Sequence, residues 1–184
     1  TIVETSVAVR GLRVEVPREG DDECGFDIAA VILQAEVPGA RVYPPRLDRD
    51  VMPGETFTAV GYGTTGSTGI GTRRFQPEVP VVCVGRDCAE EFVQDTEWQS
   101  GDDAFCRSDS GAPAIDADGF VLGVVSKGIN PCSTPIVSSA YAWRDWIRSV
   151  GRMAAEEGGY APAAGGRAPV PDGGPADGGA PGGR

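Results

Sequence analysis

The chain has 184 residues, with 16 Lys and Arg against 27 Asp and Glu, five Cys and no His. For these residues alone, the missing imidazole excludes histidine metal sites and a self-contained Ser-His-Asp or Cys-His catalytic centre. The net charge of −11 argues against nucleic acid or an anionic membrane as the main partner, because both are bound through clustered Lys and Arg. No apolar run approaches the roughly 18 residues that a membrane span requires.

Short segments rich in β-branched residues recur between Gly, Pro and Asp clusters along the first 150 residues. This rhythm is typical of short strands joined by turns, and it predicts an all-β antiparallel barrel or sandwich. The predicted strands are Ser6–Val14, Ile28–Leu33, Thr56–Tyr62, Val79–Val84, Ala112–Ile115, Phe120–Ser126 and Ile136–Ser139.

One helix is predicted over Ala140–Arg152, where apolar residues fall on one face and Ser139 is a candidate cap. Beyond it the composition changes, since 21 of the 27 residues from Gly158 to Arg184 are Gly, Pro or Ala. Such residues neither pack a core nor hold a regular element. Residues 1–152 are therefore predicted to form the folded domain, and residues 153–184 a disordered linker or tail.

The five cysteines contain no CxxC pair, so neither zinc nor another metal is expected, and no cofactor is implied. Their odd number suggests that one of them has its partner outside this sequence, or that one is free and buried. Residue spacing alone leaves the pairing open. The cysteines are Cys24, Cys83, Cys88, Cys106 and Cys132.

The strongest chemical signal is the string Cys-Arg-Ser-Asp-Ser-Gly-Ala-Pro at residues 106–113. Asp and Gly around a Ser favour a tight loop that presents one hydroxyl and aims several backbone N–H groups at the same point. The same residue types also form ordinary surface turns. By itself, the string therefore leaves a catalytic loop and a turn open.

Landmarks along the chain resemble, in family order, those of the trypsin/chymotrypsin-like serine proteases over nearly all of residues 1–150. The resemblance implies two antiparallel Greek-key β-barrels, the first incomplete in this sequence, followed by a C-terminal helix. It also implies protein or peptide substrates, and, with the Gly/Pro/Ala tail, a secreted or cell-surface protein of bacterial type. The landmarks are Gly25–Leu33, Ala59–Thr65, Cys106–Pro113, Gly119–Gly128, Cys132 with Pro135, and Trp143–Ile147.

By this resemblance Ser110 is the nucleophile, and the N–H groups of Ser108 and Ser110 form the oxyanion hole. Asp27 would orient a catalytic histidine that this chain does not contain. We expect that histidine in an N-terminal segment outside the present sequence. The resemblance also implies a Cys106–Cys132 disulfide.

With that bridge assigned, Cys83 and Cys88 are candidates to close a small loop with each other, which leaves Cys24 over. Ser126, Lys127 and Gly128 match the strand that pairs with substrate.

For the specificity pocket, Ala104 stands where trypsin-like members place an Asp, and Phe105 follows it. With Ile136 at the pocket wall, we expect a shallow apolar pocket rather than one for basic side chains. A loop shifted by one or two positions would instead bring in Asp102 or Asp103 as an acidic floor.

The chain departs from the family pattern at three positions near the nucleophile. Ser108 replaces a Gly whose N–H points into the oxyanion hole, and Ala112 replaces a second Gly. Lys127 replaces an aromatic side chain beside the substrate strand. These changes favour, as an alternative, an inactive homologue that acts as a binding or scaffold module.

Overall fold

Eight β-strands and one α-helix occur in the part of the chain that this computed structural model describes, residues 8–17, 25–65, 69–129 and 132–160. The helix, α1, is Arg144–Gly158. Cys24, the first two residues of the first predicted strand and residues 161–184 of the predicted tail lie outside the described residues. The strands are β1 (Gly11–Glu15), β2 (Ala30–Leu33), β3 (Thr56–Gly61), β4 (Arg74–Val84), β5 (Glu97–Ser100), β6 (Pro113–Ile115), β7 (Val121–Lys127) and β8 (Ile136–Ser139).

Strands β3 to β8 close into an antiparallel barrel in the order β3-β4-β5-β8-β7-β6. Its core contains Trp98 and Leu122, which are fully buried. The Phe57 ring lies edge-on to Trp98, with 5.3 Å between ring centroids, and stacks on Phe105 at 6.1 Å. The closed barrel, the separate β1–β2 sheet and the C-terminal helix confirm the predicted all-β class.

Strands β1 and β2 form a two-stranded antiparallel sheet whose apolar face is exposed. Val14 lies opposite Val31, and these side chains are 60% and 56% exposed. On the other face, Arg13 pairs with Glu15 and with Glu157 of α1. The sheet therefore directs its apolar side chains outwards, opposite to the usual pattern of a sheet on a core. The apolar face consists of Leu12, Val14, Val16, Val31 and Leu33.

The connector between this sheet and the barrel is tied to β7 through backbone and side-chain contacts. Pro45 forms a parallel bridge with Val121, whose carbonyl accepts the Arg46 N–H at 2.9 Å. The buried guanidinium of Arg46 contacts both carboxylate oxygens of Glu55. Burial raises the pKa of Glu55, but the hydrogen bonds and charge of Arg46 outweigh it and hold this pKa below its ordinary value.

Besides later starts of β1 at Gly11 and β2 at Ala30, the structure departs from the strand predictions at β4 and β5. β4 begins at Arg74 rather than Val79, because Pro77 interrupts the local pattern without preventing pairing with β3. β5, with the sequence Glu-Trp-Gln-Ser, was not predicted, since its polar residues give no apolar alternation. It is nevertheless almost wholly buried, between β4 and β8.

Helix α1 begins four residues later than predicted and ends six residues later. The Oγ of Ser139 accepts the N–H of Ala142 at 3.2 Å, so the candidate cap stabilises a turn before the helix rather than the helix itself. The helix ends where Gly159 adopts a left-handed conformation with φ of 70°. Residues 153–158, which the composition assigned to the tail, are therefore helical.

The loop between β5 and β6 is anchored by the carboxylate of Asp109. Its Oδ1 accepts the N–H of Gly63 at 2.7 Å, and its Oδ2 accepts the N–H of Cys106 at 2.9 Å. A Cβ on Gly61 would lie 2.0 Å from Asp109 Oδ1, and one on Gly63 would lie 2.5 Å from its Cγ. The glycine that ends β3 and the one two residues later thus make room for this buried carboxylate.

Two disulfides brace the barrel. Cys106 is joined to Cys132, so the Asp109 loop is covalently linked to the segment before β8. Cys83 is joined to Cys88 across the short turn after β4. The first is the bridge that the family resemblance implies, and the second joins the two cysteines that were candidates for a small loop.

Replacing Asp109 by Asn should lower the free energy of unfolding by about 1–3 kcal/mol, because one buried N–H loses its acceptor. Urea unfolding of the oxidised chain measures this change. Asp95→Asn is the control, since the Asp95–Arg86 pair is exposed and its loss should cost less than about 1 kcal/mol. Equal midpoints for Asp109→Asn and wild type would contradict the anchoring role.

Leu122→Ala should lower the free energy of unfolding by about 2–5 kcal/mol, because it opens a cavity in the barrel core. In Val31→Thr a hydroxyl replaces a methyl group on the exposed apolar face without changing the shape of the side chain. This substitution should alter the free energy of unfolding by less than about 0.5 kcal/mol. Urea unfolding of both variants tests the assignment of core and surface. A comparable loss for Val31→Thr would mean that the β1–β2 face is packed in solution.

Candidate active site

The loop of residues 106–112 presents Ser110 at the protein surface beside two unpaired backbone donors. Ser110 and Ser108 are both exposed. The N–H groups of Asp109 and Gly111 bond to Cys106 O at 3.1 Å and Val125 O at 2.8 Å. No described residue accepts a hydrogen bond from the Ser108 or Ser110 N–H. The loop therefore combines one exposed hydroxyl with two N–H groups open to a bound group.

Ser108 occupies the left-handed region, with φ of 74°. This conformation costs a residue with a Cβ about 1–2 kcal/mol and is the one that Gly adopts freely. The adjacent Asp109 anchor and the Cys106–Cys132 bridge hold the loop on both sides of it. The Ser at this position has therefore not displaced the backbone from a glycine-like conformation.

Asp27 reaches the same cleft through Ser126. The Oγ of Ser126 on β7 donates to Asp27 Oδ2 at 2.7 Å. The Oγ of Ser138 on β8 donates to the Asp27 carbonyl, also at 2.7 Å. Asp27 is exposed, and the segment that carries it is thus fixed to two strands of the barrel.

A cleft of about 370 Å³ connects these groups. Ser108, Ser110 and Ser126 line it, and Asp27 is one hydrogen bond away. Of the residues predicted to bind substrate, Phe105, Ser126, Lys127 and Gly128 are lining residues. Six further lining residues were not among those predicted to bind substrate, namely Cys106, Arg107, Val125, Ile129, Ser133 and Pro135.

Two residues assigned to the specificity pocket lie elsewhere. Ala104 packs against the barrel core, and Ile136 is fully buried in a cluster with Cys88 and Val93. Neither lines the cleft. Asp102 is exposed, and its Oδ1 accepts the N–H of Thr134 at 2.8 Å.

A buried ion pair lies directly behind the cleft and was not anticipated. Lys127 Nζ lies 2.6 Å from Oε1 of Glu97, whose side chain is 0% exposed. Lys127 was expected beside the substrate strand, but Glu97 has no local signal because Lys127 and Gly25, two of its partners, are 30 and 72 residues away. The only feature of the sequence that indicated a buried carboxylate was the charged residue next to Trp98.

The described residues contain no group of three or more His, Cys, Asp or Glu side chains able to hold a metal ion. Nor does this part of the chain contain a helix long and apolar enough to span a membrane.

Comparison with known proteins gives a family match over most of the chain. The family model described as Trypsin matches residues 4–147. Snake venom serine protease 2 of Protobothrops jerdonii is 29% identical over 153 residues, covering 72% of this chain and 57% of that protein. Snake venom serine protease KN11 of Trimeresurus stejnegeri is 45% identical over 56 residues, 28% of this chain and 21% of that protein. The chain thus spans little more than half the length of the first of these relatives.

Solved structures show the same fold. Human heparin binding protein superposes with a TM-score of 0.65 at 20% identity, covering 77% of this chain and 65% of that one. Mouse neuropsin gives a TM-score of 0.65 at 18% identity, covering 77% and 71%. The family model matches residues 4–147, and the closed barrel and the exposed serine of its loop agree with that match. The chain therefore belongs to the trypsin family of serine proteases.

Proposed function

We propose that this chain forms part of a serine endopeptidase in which Ser110 is the nucleophile and Asp27 orients a histidine. The Ser110 oxygen bonds to the substrate carbonyl carbon while the histidine takes its proton and then gives it to the leaving amine. Water hydrolyses the resulting acyl-enzyme, which releases a carboxylic acid and restores the hydroxyl. The N–H groups of Ser108 and Ser110 stabilise the oxyanion formed in each step.

The observation that carries this proposal is the convergence of three kinds of group on one cleft. Ser110 and the two unpaired N–H groups lie on the Asp109-anchored loop. The Asp27 carboxylate is held at the lining residue Ser126 by the hydrogen bond from its hydroxyl. Nucleophile, oxyanion donors and orienting carboxylate are the parts that acyl transfer needs besides a base.

We propose that the base is a histidine in polypeptide outside these 184 residues. Asp27 lies three residues before β2, whose sheet exposes the apolar face defined above. Exposed contiguous apolar surface of this kind is typical of an interface. A segment packed on this face would run beside Asp27, so its histidine would be within reach of that carboxylate.

A non-catalytic homologue is the second candidate, and the Ser108 backbone favours it. Ser108 keeps its N–H available only in a strained left-handed conformation. If the loop relieved this strain by turning the donor away, the rate would fall by about 10²–10³-fold. In that case the cleft would bind a peptide without cleaving it.

We propose an extracellular location for the protein. Two disulfides are typical of proteins that fold in oxidising compartments. The relatives whose names place them in snake venom support the same location.

In the complete gene product, a fluorophosphonate should label Ser110, because the base and oxyanion donors activate that hydroxyl alone. Labelling is measured by mass spectrometry, with Ser110→Ala as the background. The 184-residue chain, which has no histidine, should stay at that background. Absence of labelling in the complete product, under conditions that label trypsin, would contradict the proposed enzymatic function and support the non-catalytic homologue.

Among peptides that differ only at the residue before the scissile bond, we expect Ala or Val to be cleaved at least about tenfold faster than Arg. The cleft lining offers Phe105 and no carboxylate for an arginine. Relative kcat/KM values over such a panel test this expectation. Fastest cleavage after Arg that is lost in Asp102→Asn would show an acidic pocket instead.

A further inference from the structure

Glu97 is a carboxylate buried behind the cleft, and the catalytic scheme above does not use it. Its Oε1 accepts from Lys127 Nζ at 2.6 Å and from the Gly25 N–H at 3.2 Å, and its Oε2 accepts from the Gln94 N–H at 3.0 Å. A carboxylate with 0% exposure is costly unless donors of this kind compensate it. The site is therefore built around this one side chain.

Two of the three donors belong to the segments that hold the Asp27–Ser126 hydrogen bond. Gly25 lies two residues before Asp27, and Lys127 directly follows Ser126. Glu97 thus connects the backbone of Gly25, near Asp27, to the side chain of Lys127, which follows Ser126. The ammonium of Lys127 is turned towards Glu97, although the residue lines the cleft.

The Gly25 segment fits closely against the residues that precede β5. Gly25 has φ of 91°, and a Cβ there would lie 3.0 Å from Gln94 Cβ and 3.1 Å from Thr96 Oγ1. The Thr96 hydroxyl donates to the Gly25 carbonyl. Both polar groups of the Gly25 backbone are therefore held by Thr96 and Glu97.

We propose that Glu97 is a positioning residue: by holding Gly25 and Lys127, it keeps the Asp27 carboxylate against Ser126 at the cleft. The catalytic consequence rests on the proposed function, but the positioning itself does not. In this arrangement Lys127 links β7 to Glu97.

Amide hydrogen exchange in the 184-residue chain tests the positioning without any activity. Glu97→Gln should speed exchange at residues 25–28 by about tenfold or more, because local opening of that segment becomes easier. Glu55→Gln is the matched control: it removes an ion-paired carboxylate whose partners, Arg46, Arg49 and Met52, do not belong to the cleft. It should leave exchange at residues 25–28 within about twofold of wild type.

Equal exchange at residues 25–28 in wild type and Glu97→Gln would overturn the proposal. If Glu97→Gln fails to fold, the double variant Glu97→Leu/Lys127→Leu removes both charges and leaves no unpaired ion. The same acceleration at residues 25–28 is then expected, and its absence would count equally against the proposal.

The pH dependence of fluorophosphonate labelling in the complete gene product tests the catalytic consequence. Glu97→Gln should slow labelling by about 10–100-fold, because the orienting carboxylate is displaced. The midpoint should move to lower pH, since a displaced Asp27 stabilises the imidazolium less. The charged groups around the cleft are Asp27, Lys127 and Arg107. Glu97→Asp keeps the buried negative charge and should therefore recover part of both the rate and the midpoint.

Glu55→Gln should leave both the labelling rate and the midpoint unchanged. If wild type is labelled and Glu97→Gln shows the same rate and midpoint, the catalytic consequence is wrong. If wild type is not labelled, the proposed enzyme is wrong, and hydrogen exchange alone decides the positioning role.

Discussion

The arrangement of the cleft depends on one buried carboxylate. Asp109 binds the N–H of Gly63 and the N–H of Cys106, and so joins the end of β3 to the loop that carries Ser110. A carboxylate with 8% exposure needs both donors and space, and the space exists only because residues 61 and 63 have no side chain. Gly63 and Asp109 are 46 residues apart in sequence. The Gly-Tyr-Gly string and the loop that carries Ser110 therefore depend on each other for their conformation.

Much of this fold could be predicted from local pattern, and the failures have a common cause. Strands such as β3 and β7 are rich in β-branched residues, so their positions follow from the sequence. β5 could not be found in this way, because Glu97 and Ser100 are buried by partners that only the closed barrel provides. Helix α1 was misplaced because Ser139 caps a turn, which local rules do not distinguish from a helix start.

The candidate site divides in the same way. Ser110, Ser108 and Asp27 could be named from motifs, since a motif preserves order along the chain. Ala104 and Ile136 were assigned to the pocket from their places in the family pattern, but Ala104 lies partly buried against the barrel core and Ile136 is fully buried. Position in a motif does not fix where a side chain lies in an irregular loop such as residues 101–105, in which Asp103 adopts the left-handed conformation. The Glu97–Lys127 pair joins two strands that are not neighbours in the barrel and has no linear signature at all.

The outward-facing apolar surface of β1 and β2 has a consequence for the behaviour of the chain in solution. The net charge of −11 keeps molecules apart by mutual repulsion, whereas this face favours their association. Repulsion between exposed charges is screened by salt, with a Debye length of about 8 Å at physiological ionic strength, but apolar contact is not. Added salt therefore shifts the balance from dispersed molecules towards contact through the β1–β2 face.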